Sequence, residues 1–145
     1  MFTYGKRSQR VLTTLHPDLQ EIYLKAIMFY DISLLEGHRD KETQNSYFDR
    51  GLSKIKWPDG KHNTMPSLAC DSCIYSKKHR GPDWNDMESF KALAFFLQGI
   101  AAGNGIKLRV GVDWNGNMKS DQSFVDGPHV ELVSKMINGK EVFYE

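Results

Sequence analysis

The chain has 145 residues, of which 40% are apolar, 12% aromatic and 26% charged. These proportions are typical of a folded globular protein and exclude a disordered chain, which has fewer aromatic residues and a larger charge imbalance. A net charge of +1, with both signs interleaved, excludes the broad positive field that dominates nucleic-acid binding. We therefore expect one domain, residues 1–145, and no nucleic acid as partner.

The sequence also lacks the signatures of membrane insertion and export. No apolar run approaches the roughly 20 residues that a spanning helix needs, and the first residues, MFTYGKRSQR, have no apolar signal core. We therefore expect synthesis in the cytosol without a leader and no membrane insertion. The two cysteines, Cys70 and Cys73, are too few for a disulfide framework, and a cytosolic CxxC pair more often indicates metal or redox chemistry.

Two helices and a strand are predicted in the first third of the chain. Apolar residues at spacings of three and four after Pro17 predict an amphipathic helix in HPDLQEIYLKAIMFYD. Further along the chain, KETQNSYFDRGL after residue 40 predicts a short polar helix that ends at a glycine. Between them, ISLLEGHR predicts a buried strand whose end delivers three polar side chains to an edge or loop: Glu36, His38 and Arg39.

The remaining two thirds predict one long helix and three strands. Residues 53–67 are rich in Pro, Gly, Lys and Asn, and a loop this long is usually functional. SLACDSCIY predicts a strand, and Asp83 or Asn85 offers an N-cap for the long helix MESFKALAFFLQGIAAG. IKLRVGVDW and HVELVSKM predict two further strands. Without a regular βαβ rhythm, this order favours an α+β domain with a mainly antiparallel sheet packed with helices.

The segment KHNTMPSLACDSC, residues 61–73, contains several side chains that bind metals. A catalytic zinc site takes three protein ligands and keeps a fourth position for water. One interpretation takes His62, Asp71 and His129 as ligands of such an open site. Imidazole and carboxylate suit a borderline cation, and the pKa of water held beside them can fall to about 7.

The same segment allows two other interpretations. Cys70, Cys73, His62 and His79 have the donor types of a closed, structural zinc site, although the usual ligand pairs are more tightly spaced. Alternatively, the two cysteines simply pack in the core, as free cysteines commonly do. Spacing alone leaves these alternatives open.

Two shorter stretches contain further candidate catalytic or supporting residues. In VDGPHVEL, a turn at Gly-Pro separates Asp126 from His129, so the carboxylate can lie beside a metal-bound imidazole and transfer protons. Glu131 follows on the same strand face and either supports the site or is solvated. In EGHR, the guanidinium of Arg39 can hold a carboxylate or an oxyanion, although such an arginine is commonly a surface ion pair.

Taken in order, these segments resemble a known family over nearly the full chain. They are similar to the zinc-dependent peptidoglycan peptidases that include D-Ala-D-Ala carboxypeptidases and dipeptidases, and most closely to phage endolysins that are L-alanyl-D-glutamate peptidases. The first metal motif of that family is commonly Ser-x-His-x-x-Gly-x-Ala-x-Asp, and the second is Asp-x-x-His. KHNTMPSLACD and DGPHVEL are similar to them, with Gly60 and Ser67 in place of the serine and glycine and two additional residues between His62 and Asp71. The other matching segments are FTYGKRSQRVLTTLHPDLQEI, EGHRDKETQ and GIKLRVGVDWNGN.

The resemblance implies a ligand set and a fold. His62, Asp71 and His129 would bind Zn²⁺, Asp126 would be the catalytic carboxylate and Arg39 would orient the substrate. The fold would be that of the zinc D-Ala-D-Ala peptidase-like (Hedgehog/DD-peptidase) group. Asp113 and Trp114 would support the site or line the substrate groove.

The resemblance also implies an activity and a place of action. The enzyme would cleave the L-Ala-D-Glu amide bond of the peptidoglycan stem peptide, as a monomer, and lyse a bacterial host. It would accumulate in the host cytoplasm and act at the cell wall or in the periplasm after membrane permeabilisation. The alternatives are a D-Ala-D-Ala carboxypeptidase or dipeptidase on the same scaffold, a non-catalytic wall-binding module and a zinc-knuckle interaction module.

Overall fold

The structure, a computed structural model, describes residues 1–119 and 121–145. Helices and strands are interspersed along these residues. The helices are α1 (Lys6–Thr13), α2 (Pro17–Ala26), α3 (Lys41–Asp49) and α4 (Met87–Gly103), and Lys61–Asn63 form a short 3₁₀ turn. The strands are β1 (Ile32–Glu36), β2 (Ala69–Ile74), β3 (Ile106–Val110), β4 (His129–Ile137) and β5 (Lys140–Phe143).

The strands form one sheet in the order β1-β2-β4-β3, and β5 pairs with the second half of β4. Every strand pair in the described ranges is antiparallel, as the sequence predicted. Asp71 lies directly opposite His129 in the register of β2 and β4. The sheet therefore places side by side two residues that are far apart in the sequence.

Helix α4 packs on one face of the sheet, and the site lies on the other face, where Gln44 of α3 also lines the cleft. Along β3 the inward residues Ile106, Leu108 and Val110 are buried, whereas Lys107 and Arg109 are exposed. The buried face packs against α4, whose Leu97 is fully buried among the core residues. Because side chains alternate along a strand, the opposite face carries Asp71 of β2, Arg109 of β3, and His129 and Glu131 of β4.

Carboxylate side chains begin two of the helices. Asp40 accepts a hydrogen bond from Thr43 N at 2.8 Å at the start of α3. Asp86, rather than the predicted Asp83 or Asn85, caps α4 by accepting from Ser89 N at 3.1 Å. Asp83 instead accepts from the backbone of Asn85 at 3.0 Å and stabilises the turn before the helix. The sequence contains several equivalent caps, and this turn decides between them.

A close backbone approach positions the loop before β4. Asp126 N donates to Gly111 O at 3.0 Å, and His129 N donates to Asp126 O at 3.2 Å. A Cβ atom at position 111 would lie only 2.0 Å from Asp126 O. Glycine is therefore required here, and it fixes the position of Asp126 against the end of β3. IKLRVGVDW was predicted as one strand, but regular pairing ends at Val110.

Candidate metal centre

Three elements bring together the side chains of His62, Asp71 and His129. His62 lies in the 3₁₀ turn within the long loop, Asp71 lies on β2, and His129 is the first residue of β4. His62 Nε2 is 3.3 Å from Asp71 Oδ1, and His129 Nδ1 is 3.4 Å from the same oxygen. The two imidazole nitrogens are 3.3 Å apart. The three donor atoms therefore form a nearly equilateral triangle.

The size of this triangle fits a tetrahedral metal ion. With metal–ligand bonds of roughly 2.0–2.1 Å, the edge of a tetrahedron is about 1.6 times the bond length, or roughly 3.3–3.4 Å. The observed separations of 3.3, 3.3 and 3.4 Å match that edge. In the described part of the chain, these residues form the group of donors close enough to share one ion.

Hydrogen bonds on the far side of each ring orient the two histidines. His62 Nδ1 lies 2.7 Å from Gly37 O, which can only accept, so this nitrogen carries the proton. His129 Nε2 lies 3.0 Å from Glu131 Oε1. The facing nitrogens of the neutral rings therefore carry lone pairs. Asp71 Oδ1, buried between them, has no hydrogen-bond partner among the described residues. Three converging lone pairs repel one another unless a proton or a metal ion lies between them, and a triangle of this size fits a metal ion.

When no metal is bound, Asp71 and His129 shift each other's pKa. Burial alone would raise the pKa of Asp71, but the two adjacent imidazoles, His62 and His129, hold it well below its usual range. Burial would lower the pKa of His129, but the adjacent carboxylates of Asp71 and Glu131 raise it to about 9. The metal-free site therefore holds a proton on His129 at neutral pH.

Metal binding should consequently release a proton from His129. Below pH 9 the ion must displace that proton, whereas Asp71 is already ionised. As the pH increases, deprotonation of His129 should raise the apparent metal affinity about tenfold per pH unit. The increase should level off above about pH 9. Calorimetric titration in buffers of different ionisation enthalpy measures the number of protons released. A release that does not fall between pH 7 and 10 would contradict this assignment.

The proton on His129 opposes metal binding but stabilises the metal-free fold. The folded pKa of about 9 lies above the ordinary value of 6.5. The contribution of protonated His129 to the free energy of unfolding is therefore fully present below pH 6.5 and lost as the pH rises through about 9.

Asp126 lies on the wall of a cleft that also contains His62 and His129. Its side chain is half-buried. Burial, followed by the negative charge of Asp71, raises the pKa of Asp126, while the neighbouring His129, His62 and Arg39 oppose this rise. A carboxyl group with a raised pKa is suited to accept and return a proton. The structure thus places the predicted catalytic carboxylate in the same cleft as the three donors.

Arg39 is held at the side of the site by several contacts. Its guanidinium forms an ion pair with Glu36, donates to Gln44 Oε1 at 2.9 Å and lies 3.8 Å from Asp71 Oδ2. Its central carbon lies 4.6 Å from the ring centre of Tyr47. These contacts fix the orientation of the guanidinium, which lines the cleft. Glu36 and Gln44 were not predicted as parts of the site, because only the folded chain shows that they hold Arg39.

The other predicted site residues occupy different positions around His129. Glu131 is bonded to the ring of His129, and the ring centre of Trp114 is 5.1 Å from that of His129. Asp113 instead accepts a hydrogen bond from Met118 N at 2.8 Å through Oδ2, and it is buried. Trp114 and Glu131 line the cleft, whereas the contact of Asp113 is with the loop that follows Trp114.

The structure does not bring together the donors of the alternative, cysteine-based site. Cys70 and Cys73 are free and buried in the hydrophobic core. His79 is exposed in a turn and lies 3.4 Å from the carboxylate of Asp83. Burial raises the pKa of both thiols, which disfavours the thiolate that binds metal. The two cysteines therefore pack in the core, as the simplest interpretation predicted. His38, two residues after the end of β1, contacts Thr64 O at 3.0 Å and is not one of the three donors.

A buried His-Asp-His donor set that opens into a cleft is typical of a catalytic metal site, because structural sites have four protein ligands. Comparison with known proteins agrees with this class. The family model for the phage L-alanyl-D-glutamate peptidase matches residues 1–133. A curated relative, the L-alanyl-D-glutamate peptidase of Escherichia phage T5, is 34% identical over 139 residues, or 91% of this chain and 98% of the relative.

The chain therefore belongs to the phage L-alanyl-D-glutamate peptidase family. Its fold is similar to that in the crystal structure of the Serratia marcescens L-Ala D-Glu endopeptidase ChiX, with a TM-score of 0.70, 22% identity and coverage of 90% of each chain. The predicted family and the predicted α+β fold are both confirmed. No helix in residues 1–119 and 121–145 is long and apolar enough to cross a membrane.

Proposed function

We propose that this chain is a zinc-dependent endolysin that hydrolyses the L-Ala-D-Glu amide bond in the stem peptide of bacterial peptidoglycan. Membership of the family supports the reaction. The observation that carries the mechanism is the triangle of His62, Asp71 and His129 donor atoms, with edges of 3.3–3.4 Å and an unpartnered carboxylate oxygen.

Zn²⁺ is the proposed metal, held by His62, Asp71 and His129. Two imidazoles and one carboxylate are donors that zinc accepts in catalytic sites. When bound, such an ion polarises the scissile carbonyl group and lowers the pKa of water. Glu131 keeps the ring of His129 in the orientation and tautomer that presents Nδ1 to the site.

The remaining chemistry is assigned to two side chains in the cleft. Asp126 takes a proton from the attacking water and delivers it to the nitrogen of the leaving D-glutamyl residue. Arg39, whose guanidinium is oriented by its neighbours, stabilises negative charge on the substrate carbonyl. Trp114 forms an apolar wall beside His129. Asp113 supports this wall through the loop that it stabilises.

We also propose that residues 1–145 form one catalytic domain that acts as a monomer, because the donors and the cleft residues all belong to one chain. The place of action would be the cell wall or periplasm of the bacterial host. An enzyme made in the host cytoplasm would reach that substrate after the membrane is permeabilised.

Digestion of purified peptidoglycan tests the proposed reaction. The zinc-loaded protein should release fragments with a new amino-terminal glutamate, and mass spectrometry of the fragments identifies this terminus. Removal of metal with a chelator should abolish the release, and added Zn²⁺ should restore it. Release of free D-Ala instead would show a carboxypeptidase or dipeptidase on the same scaffold, and intact peptidoglycan after zinc loading would show a non-catalytic module.

A further inference from the structure

The cleft beside the metal centre carries cationic groups that the proposed mechanism does not use. Besides Arg39, the side chains of Lys54, Lys61 and Arg109 line it. Lys54 lies over the ring of Phe124, with its nitrogen 4.3 Å from the ring centre. Lys61 and Arg109 have no role in the reaction as described so far.

Lys61 and Arg109 act on the same carboxylate, that of Glu131. Arg109 Nη1 is 3.8 Å from Glu131 Oε2, and the charge of Lys61 also acts on Glu131. The other oxygen of this carboxylate is bonded to His129. In the part of the chain that the structure describes, Lys61 forms no ion pair of its own. Two cationic side chains thus act on one carboxylate at this side of the cleft.

The backbone fixes the place of this charge, while the side-chain ends remain accessible. Arg109 lies in β3 directly opposite Glu131, and its side chain is 48% exposed. Lys61 precedes the donor His62 in the 3₁₀ turn. Both side chains line the cleft that contains His129. An anionic substrate group that enters the cleft would therefore meet these two cations close to the reacting bond.

We infer that Arg109, assisted by Lys61, binds the free carboxylate of the D-glutamyl residue whose amide bond is cleaved. This inference rests on the proposed function and deepens it. A glutamyl residue has two carboxyl groups, and only one of them continues the peptide, so the other brings a negative charge next to the scissile nitrogen. A guanidinium matches a carboxylate in charge and in its two-donor geometry. Arg109 is thus a substrate-binding residue that selects an acidic residue after the cleaved bond.

Two peptides that differ in one group test this inference. Both contain the L-Ala-D-Glu bond, but the carboxyl group outside the chain is free in one and a neutral carboxamide in the other. The wild-type protein should cleave the free-acid peptide with a kcat/KM roughly ten to a hundred times higher, as expected for a charge-assisted hydrogen bond. Most of the difference should appear in KM.

Variants of Arg109 then distinguish substrate binding from structural support of Glu131. Arg109→Gln should lower kcat/KM for the free-acid peptide by roughly tenfold or more and change that for the amidated peptide by less than about twofold. Arg109→Lys should retain part of the preference for the free-acid peptide. Adding Lys61→Gln to Arg109→Gln should reduce the remaining preference further. The matched control is Lys107→Gln, which removes an exposed cation two residues away on the same strand and should leave the preference unchanged.

The outcomes separate this inference from the proposed function. A wild type that cleaves both peptides equally well would overturn the inference and leave the peptidase activity intact. An Arg109→Gln variant that loses the same factor on both peptides would also overturn it, because Arg109 would then act only through Glu131. A zinc-loaded wild type that cleaves neither peptide would overturn the proposed function and, with it, this inference.

Discussion

Replacing His129 with alanine is expected to abolish metal binding and, with it, peptidase activity. The substitution removes one of three donors and leaves Asp71 Oδ1 and His62 Nε2, which are 3.3 Å apart, as the remaining pair. It also removes the bond to Glu131, and loss of such a supporting contact alone typically costs ten- to a hundredfold in metal affinity. Zinc affinity should therefore fall by more than about a hundredfold, as measured by competition with a chromogenic chelator.

His79→Ala is the matched control for this prediction. His79 is exposed and paired with Asp83, and it would be a ligand only in the cysteine-based alternative. The control should bind one zinc ion per chain with wild-type affinity. A His129→Ala variant with unchanged affinity, or a His79→Ala variant without metal, would contradict the assigned ligands. Circular dichroism of both variants checks that the fold is retained.

Replacing Asp126 with asparagine should separate metal binding from turnover. The side chain lines the cleft but is not one of the three converging donors, so one zinc ion per chain should remain bound. Loss of a general acid-base group typically lowers turnover by a factor of about a hundred to ten thousand. We expect kcat to fall in that range and KM to change little, as measured with a synthetic L-Ala-D-Glu peptide.

Asp59→Asn is a suitable control, because Asp59 is exposed in the loop after α3 and is not among the cleft residues. It removes the same charge and should keep kcat within about twofold of the wild type. An Asp126→Asn variant that retains full turnover would show that another group transfers the proton. An Asp126→Asn variant that loses zinc would place Asp126 among the ligands instead.

The local elements that position the site could be predicted from the sequence, because they depend on short-range patterns. The apolar spacing after Pro17 predicted α2, and the run before Gly37 predicted β1. Two elements were not predicted separately. The strand β5 is exposed along its whole length, so it lacks the alternation that identifies strands. The helix α1 is mostly polar and has a single buried residue, Ser8.

The meeting of the metal donors could not be derived from spacing alone. Within residues 61–73, the donor types allowed both an open site with Asp71 and a closed site with the two cysteines, and the resemblance to the family favoured Asp71. The decisive fact is the pairing of β2 with β4, which sets Asp71 opposite His129 and turns Cys70 towards the core. Strand pairing over so long a separation depends on the whole fold.

The contacts that orient the site were even less accessible from the sequence. Glu131 was predicted either to support His129 or to be solvated, and the structure shows the supporting contact. The backbone oxygen of Gly37, which fixes the tautomer of His62, carries no signal in a sequence. The close approach at Gly111 depends on the loop that contains Asp126, so only the folded chain reveals why glycine is required.

The most direct test of the account is a crystal of the zinc-loaded wild-type protein, with diffraction measured on both sides of the zinc absorption edge. The account predicts one anomalous peak per chain, within about 2.0–2.2 Å of His62 Nε2, Asp71 Oδ1 and His129 Nδ1. A peak at Cys70 and Cys73, or no peak between the three donors after zinc loading, would contradict it.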